Sequence, residues 1–172
     1  NGKFAPDGTT PTVEFFNHTP VMAMLSYSNF GSDNEGSPAK VHEAVDIMQR
    51  EYPDLAIDGE MQVKYAMNNA ARDEKYPFTR LVGKDVNTLI FPNLSSANAT
   101  YQLLQSMEET EVIGPIQMGL NKPIHFTDCE ASVRDIVNIT AIAVIDAIVE
   151  KKKKQWENRL ISRNPLFSPF YG

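Results

Sequence analysis

Four short segments carry residue types that could do chemistry. Ser26-Tyr27-Ser28-Asn29-Phe30-Gly31-Ser32 is rich in hydroxyls and ends in Gly-Ser. Hydroxyls and free amides at the start of a helix can hold an anion without a charged side chain. The same residue types also build a turn with competing caps, and composition leaves both readings open. The segment is not a P-loop, which would end in Gly-Lys followed by Ser or Thr. Asp58-Gly59-Glu60 brings two carboxylates close together. Such a pair can bind a metal or move protons, or it can form a turn and stabilise a helix start. Asn93 to Asn98 offers amides and hydroxyls again, from Asn93, Ser95, Ser96 and Asn98. Thr127 to Asp135 contains Asp128, Cys129, Glu130 and Asp135. Cys129 has no C-x-x-C partner and reads as an inert thiol more readily than as a nucleophile. His18, His42 and His125 are far apart and lack metal-ligand spacing. Neither a GxSxG elbow nor a GxGxxG fingerprint occurs.

These segments fall where an alternation of strands and helices would place them. Val21 to Leu25 reads as a buried strand. Ser37-Pro38 then opens a helix whose apolar face is Val41, Ala44, Val45 and Met48, at helical spacing. Leu55 to Ile57 is the next strand and Met61 to Ala71 the next helix. Thr88 to Phe91 is a third strand, stopped by Pro92. Ser95 or Ser96 caps a helix carrying Ala97, Tyr101, Leu104 and Met107. Val112 to Met118 is extended but bent at Gly114-Pro115, and Pro123 to Phe126 reads as a short last strand. Ser132 to Asp135 has the form of a capping box. It opens a long helix with Ile136, Val137, Thr140, Ala143, Val144, Ala147 and Ile148 on its buried side. Short apolar strands alternating with helices imply an α/β fold: a mainly parallel sheet with helices on both faces. Ligands of such sheets sit at the carboxyl ends of the strands, which is where the four segments lie.

The balance of charge narrows the partners. The chain has 172 residues, with 16 Lys and Arg against 22 Asp and Glu, for a net charge of −6. Nucleic-acid binding draws its affinity from phosphate neutralisation, so no nucleic-acid partner is expected. A small phosphorylated ligand remains compatible with this charge. No apolar run reaches the roughly 20 residues of a membrane span, and no signal peptide is visible. One cysteine allows no intrachain disulfide, which suits a cytoplasmic setting. Residues 1–19 read as a loop or linker, and we expect the chain to be a piece of something longer. Residues 20–150 read as one lobe. Lys151 to Lys154 read as a solvated helix end. The apolar tail within 151–172 reads as docking on another domain or subunit.

Five blocks, taken together in order and spacing, carry a resemblance. They are LSYSNFGS (Leu25 to Ser32), PDLAIDGEMQ (Pro53 to Gln62), NTLIFPNLSSANATYQLLQ (Asn87 to Gln105), VIGPIQMGLNKPIH (Val112 to His125) and SVRDIVNITAIAVIDA (Ser132 to Ala147). The chain resembles the phosphate acetyl/butyryltransferase family over about residues 20 to 150. Within it, YSNFGS, DGEMQ and FPNLSSAN look most like the C-terminal, phosphotransacetylase-like part of the large NADP-dependent malic enzymes. The resemblance implies a phosphotransacetylase-like fold, with the topology of the isocitrate and isopropylmalate dehydrogenases. It also implies acetyl-CoA as a ligand, held by Ser28, Asn29, Gly31, Ser32, Asn93, Ser95, Ser96 and Asn98 with Asp135 at the edge. Apart from the resemblance, the last long helix and the apolar tail have more hydrophobic surface than a lone small domain can bury, so a homodimer or larger homo-oligomer is expected. This chain itself would hold neither cofactor nor metal. NADP and a divalent metal, Mg or Mn, would belong to the oxidoreductase region of the parent protein.

The resemblance breaks before the last helix. Working phosphotransacetylases have Ser-Arg-Gly there, followed by an Asp. The Ser is held to stabilise the transition state, the Arg to hold phosphate and the Asp to act as base for the thiol of coenzyme A. The matching positions here are Asp128-Cys129-Glu130, then Asp135, so only the Asp remains. Transfer from an acyl phosphate needs cationic stabilisation of the phosphate. Two like unit charges about 4 Å apart near a surface repel by about 4 kcal/mol. Asp128 and Glu130 therefore oppose an anionic substrate. The expectation is a regulatory, acetyl-CoA-sensing and oligomerisation region without catalysis of its own. An active phosphate acyltransferase and a purely structural dimerisation module are the alternatives.

Overall fold

The computed structural model describes residues 18–107, 112–117, 120 and 122–163, of which 152–163 are described by their backbone alone. The chain divides into two compact units, Asn1–Thr110 and Glu111–Gly172, and each is described by itself. The expected tail docking after Trp156 and the N-terminal linker up to residue 17 lie outside the described side chains.

The first unit is built on three parallel strands, β1 (Val21–Leu25), β2 (Ala56–Met61) and β3 (Thr88–Ile90), in the order β2-β1-β3. Both faces of the sheet are covered, and the central strand β1 is apolar on both. Side chains alternate along a strand, so Met22 and Met24 fall on one face and Ala23 and Leu25 on the other. On the first face they pack with Ile57 against Val41, Val45 and Met48 of α1 (Gly36–Glu51). On the second they pack with Met61 and Leu81 against Tyr65 and Ala66 of the short helix α2 (Val63–Ala66). Helices therefore cover both faces of a parallel sheet, as the alternation implies.

Element boundaries differ from expectation at several places. Ser37, expected as the N-cap, lies inside α1, which starts at Gly36 after Glu35 without a side-chain cap, and β3 stops at Ile90, one residue before Phe91. β2 runs on through Asp58, Gly59 and Glu60 to Met61, so the paired carboxylates sit inside the strand and not after it. The expected helix from Met61 to Ala71 is two helices, α2 and α3 (Asn69–Lys75). Asn68 starts the second by accepting a hydrogen bond from the Ala71 amide through its side chain, and an Asn at that point favours a cap over continuation. The helix α4 (Leu94–Gln105) begins earlier than Ser95, because Asn93 caps it by accepting from the Ser96 amide at 2.9 Å.

In the second unit, α5 (Val133–Arg163) is a single helix of 31 residues. The four lysines expected at a helix end therefore stand inside it. Residues 112–117 and 123–128 form no strand. Of the face expected to be buried, Ile136, Val137, Val144 and Ile148 are about half exposed or more; the residue that is buried, Ile142, lies off that face. No described helix is long and apolar enough to cross a membrane.

Candidate functional site: a loop wrapped around a buried carboxylate

Parallel pairing of β1 with β2 and β3 puts the carboxyl ends of all three strands on one edge. The loop from Ser26 to Asp33 leaves β1 there, and Asn93 to Asn98 follow β3. The structure therefore brings both groups of expected ligand residues to the edge where parallel sheets bind ligands. Asp135 lies in the second unit.

What shapes the first loop is a register shift in the sheet. Met24 pairs with Gly59 and Leu25 with Met61, so Glu60 has no partner opposite it. A bulge of this kind re-aims a side chain. The Glu60 carboxylate is fully buried beneath the loop. Its Oε1 accepts from the Ser28 hydroxyl at 2.8 Å and from the Gly31 amide at 2.6 Å. Its Oε2 is 2.9 Å from Nδ1 of His42 on α1. Burial alone would push this carboxyl up. Hydrogen bonds from the Gly31 amide, its own amide, Ser28 and His42 outweigh that, and it is held below the usual carboxylate range.

The rest of the loop closes on itself. The Phe30 amide donates to the Glu60 carbonyl and the Ser26 amide to the Met61 carbonyl. The Ser28 hydroxyl accepts from the Asp33 amide, and the Ser32 hydroxyl accepts from the Asn29 amide. Phe30 and Gly31 turn the chain at φ 48° and 82°, the left-handed region that glycine tolerates best. Gln62 locks the loop to the sheet edge, donating its amide to Asn29 Oδ1 and its side chain to the Tyr27 carbonyl. Ser28 is thus buried and spent internally, while Asn29 and Gly31 are half-buried and Ser32 is exposed.

Asp58 is a structural anchor. Its Oδ1 accepts from Gln49 and the Gly59 amide, and its Oδ2 from the Thr79 hydroxyl at 2.6 Å and the Arg80 amide at 2.8 Å. Arg72, fully buried, holds the same stretch by donating to the Leu81 and Lys84 carbonyls. Apart from the adjacent Gly59, these partners lie 9 to 22 positions away, so local spacing gave no sign of them. Among the described residues, no group of three or more His, Cys, Asp or Glu could hold a metal ion.

On the second loop, Asn93 and Ser96 are engaged in capping, and Ser95 and Asn98 are exposed. In the second unit, Ser132 and Asp135 form the expected capping box. The Ser132 hydroxyl donates to Asp135 Oδ2 at 2.6 Å, and the Asp135 amide donates back to that hydroxyl. The Ser132 hydroxyl, then its amide, hold the Asp135 carboxyl below its ordinary value. Asp128 is likewise lowered, first by the Glu130 amide and then by the Cys129 thiol. The buried His125 side chain pairs its Nε2 with Asp146 at 3.1 Å, which ties the segment before Asp128 to α5.

The sequence matches the profile described as phosphate acetyl/butaryl transferase over residues 9–144. It is 42% identical over 137 residues to the NADP-dependent malic enzyme of Salmonella typhimurium, covering 79% of this chain and 18% of that protein. It is 40% identical over 131 residues to the phosphate acetyltransferase of Clostridium acetobutylicum, covering 76% of this chain and 39% of that protein. The chain thus spans about a fifth to two fifths of the length of these curated relatives. A phosphotransacetylase from Streptococcus pyogenes superposes with a TM-score of 0.73 at 36% identity, over 84% of this chain and 43% of that one. Its parallel sheet, its helices on both faces and this match over most of its length place the chain in the phosphate acetyl/butaryl transferase family.

Proposed function

We propose that this chain is the acetyl-CoA-sensing and oligomerisation region of an NADP-dependent malic enzyme, and that it transfers no acyl group itself. The observation that carries this reading is the loop before α5. A carboxylate, Asp128, stands where the family places the serine, and Cys129 stands where it places the phosphate-binding arginine. Asp128 is held ionised by the Glu130 amide and the Cys129 thiol. An anionic loop repels an acyl phosphate. Asp135, the surviving acid, is lowered by its capping partner, and a lowered carboxyl is a weaker base toward a thiol. A long ligand such as acetyl-CoA makes most of its contacts away from the reacting centre. Binding can therefore outlast catalysis, with Asn29, Ser32, Ser95 and Asn98 as the exposed or half-buried contacts. NADP and a divalent metal, Mg or Mn, would serve the remainder of such a protein, in the cytoplasm.

A second reading, an active phosphate acetyltransferase, is favoured by the 40% identity to the Clostridium acetobutylicum protein and by the retained Asp135. Transfer between acetyl phosphate and coenzyme A separates the two. We expect none from this chain, and activity above background from Asp128→Ser together with Cys129→Arg. Robust transfer by the unaltered chain would establish the second reading instead. Calorimetry finding no acetyl-CoA binding would leave only a structural dimerisation module.

A further inference from the structure

The geometry points to Glu60 as a positioning residue: an anion built into the chain that fills the amide cradle of the β1–α1 loop. The loop keeps its shape through that carboxylate and admits no phosphate of its ligand. The hydroxyls and amides that make Ser26 to Ser32 look like an anion cradle do hold an anion, and it is internal. The Gly31 amide and Ser28 hydroxyl converge on one carboxylate oxygen at 2.6 and 2.8 Å. His42 reaches the other oxygen from α1. The amides of Ser26, Ser28, Asn29, Phe30, Ser32 and Asp33 also donate inside the chain. A second anion entering here would meet no free loop amide among these and would stand beside a buried negative charge. Asp33 adds another carboxylate, lowered first by the Tyr27 hydroxyl. The uncharged part of a ligand therefore passes this loop, through Asn29 and Ser32, and its phosphates must be met elsewhere. Gly59 makes this arrangement possible. A Cβ there would lie 2.5 Å from the Met24 carbonyl oxygen, so the bulge that turns Glu60 inward requires glycine.

This inference rests on the proposed ligand site, and its test separates the two. In the full chain, the Gly31 amide is followed by 15N NMR while inorganic phosphate is added, and acetyl-CoA affinity is measured by calorimetry. Phosphate should leave the wild-type Gly31 signal unmoved. Glu60→Gln keeps an acceptor for Ser28 and Gly31 and offers a donor to His42, so it should stay close to wild type in both measurements. Glu60→Ala should lose about tenfold or more in acetyl-CoA affinity, and formate or acetate should restore it by filling the vacated cradle. Saturable movement of the wild-type Gly31 amide by phosphate would overturn the inference. So would a folded Glu60→Ala variant with wild-type affinity and no response to formate. If Glu60→Ala does not fold, the wild-type phosphate titration and Glu60→Gln decide alone. If the wild-type chain binds no acetyl-CoA, the proposed function falls, and the Gly31 signal still tests the role of Glu60.

Discussion

A methyl group on residue 59 would stand 2.5 Å from the Met24 carbonyl oxygen and 2.9 Å from the Met24 Cβ, at a φ of +147°. Backbone on the central strand cannot give way cheaply, so Gly59→Ala should cost about 2 kcal/mol or more, read as a drop in the urea midpoint. Glu60 next to it predicts a pH dependence. Its folded carboxyl titrates below the ordinary value of 4.5, so the unfolded chain takes up the proton first as acid is added. The stabilisation is complete above about pH 4.5 and is lost as pH falls through the lower, folded value. Urea midpoints measured between about pH 6 and pH 3 should therefore fall less steeply for Glu60→Gln than for the wild type. The carboxylate pair was visible in the sequence, but its division of labour was not. Asp58 anchors the distant Thr79 and Arg80, while Glu60 anchors Ser28 and Gly31, because a one-residue bulge sends the two side chains to different neighbours.

Helix starts are set by short side chains within one turn, and here the capping box was legible while other starts were misplaced. Ser132 and Asp135 satisfy each other's amides, so Ser132→Ala should cost about 1 kcal/mol. Because the Ser132 hydroxyl is the main cause of the lowered Asp135 carboxyl, the same change should move the Asp135 titration upward toward its ordinary value. A 13C-detected carboxyl titration that leaves Asp135 unmoved would show that something other than the cap holds it. Asn93 caps α4 through the Ser96 amide, although the serines after it looked equally suitable. An Asn side chain reaches the amide three residues on from the extended backbone it holds here. Nothing in residue type alone separates it from Ser95 or Ser96.

Helix α5 carries more apolar surface than its own unit covers. Val133, Val137 and Val144 are 80%, 60% and 54% exposed, and Phe126 in the same unit is 64% exposed. Val133, Val137 and Val144 share one face of the helix at spacings of four and seven, and exposed apolar residues on one face suit an interaction surface; a second copy of the chain is the partner proposed, through a symmetric contact. Light scattering should then report a mass above that of one chain. Val137→Glu with Val144→Glu should return the protein to monomers without shifting the unfolding of the strand-bearing unit. A monomeric wild type at high micromolar concentration would dismiss the oligomerisation half of the proposed function.

Periodicity in the sequence was enough to determine the α/β class, the presence of the three strands and the helix α1, but it read the helices α2 and α3 as one and expected a further strand at Pro123 to Phe126 that does not form. Alternating burial in a strand and a spacing of three to four in a helix are properties of each segment alone. The five blocks in order were enough to point to the family. Only the tertiary structure decided where β2 ends and which carboxylate belongs to the loop. It alone showed that the loop at Ser26 to Asp33 is already filled. Those outcomes depend on a register shift between Met24 and Leu25 and on hydrogen bonds spanning 18 to 32 residues. Pairings at such separation are fixed by how strands align in space, and no local pattern encodes them.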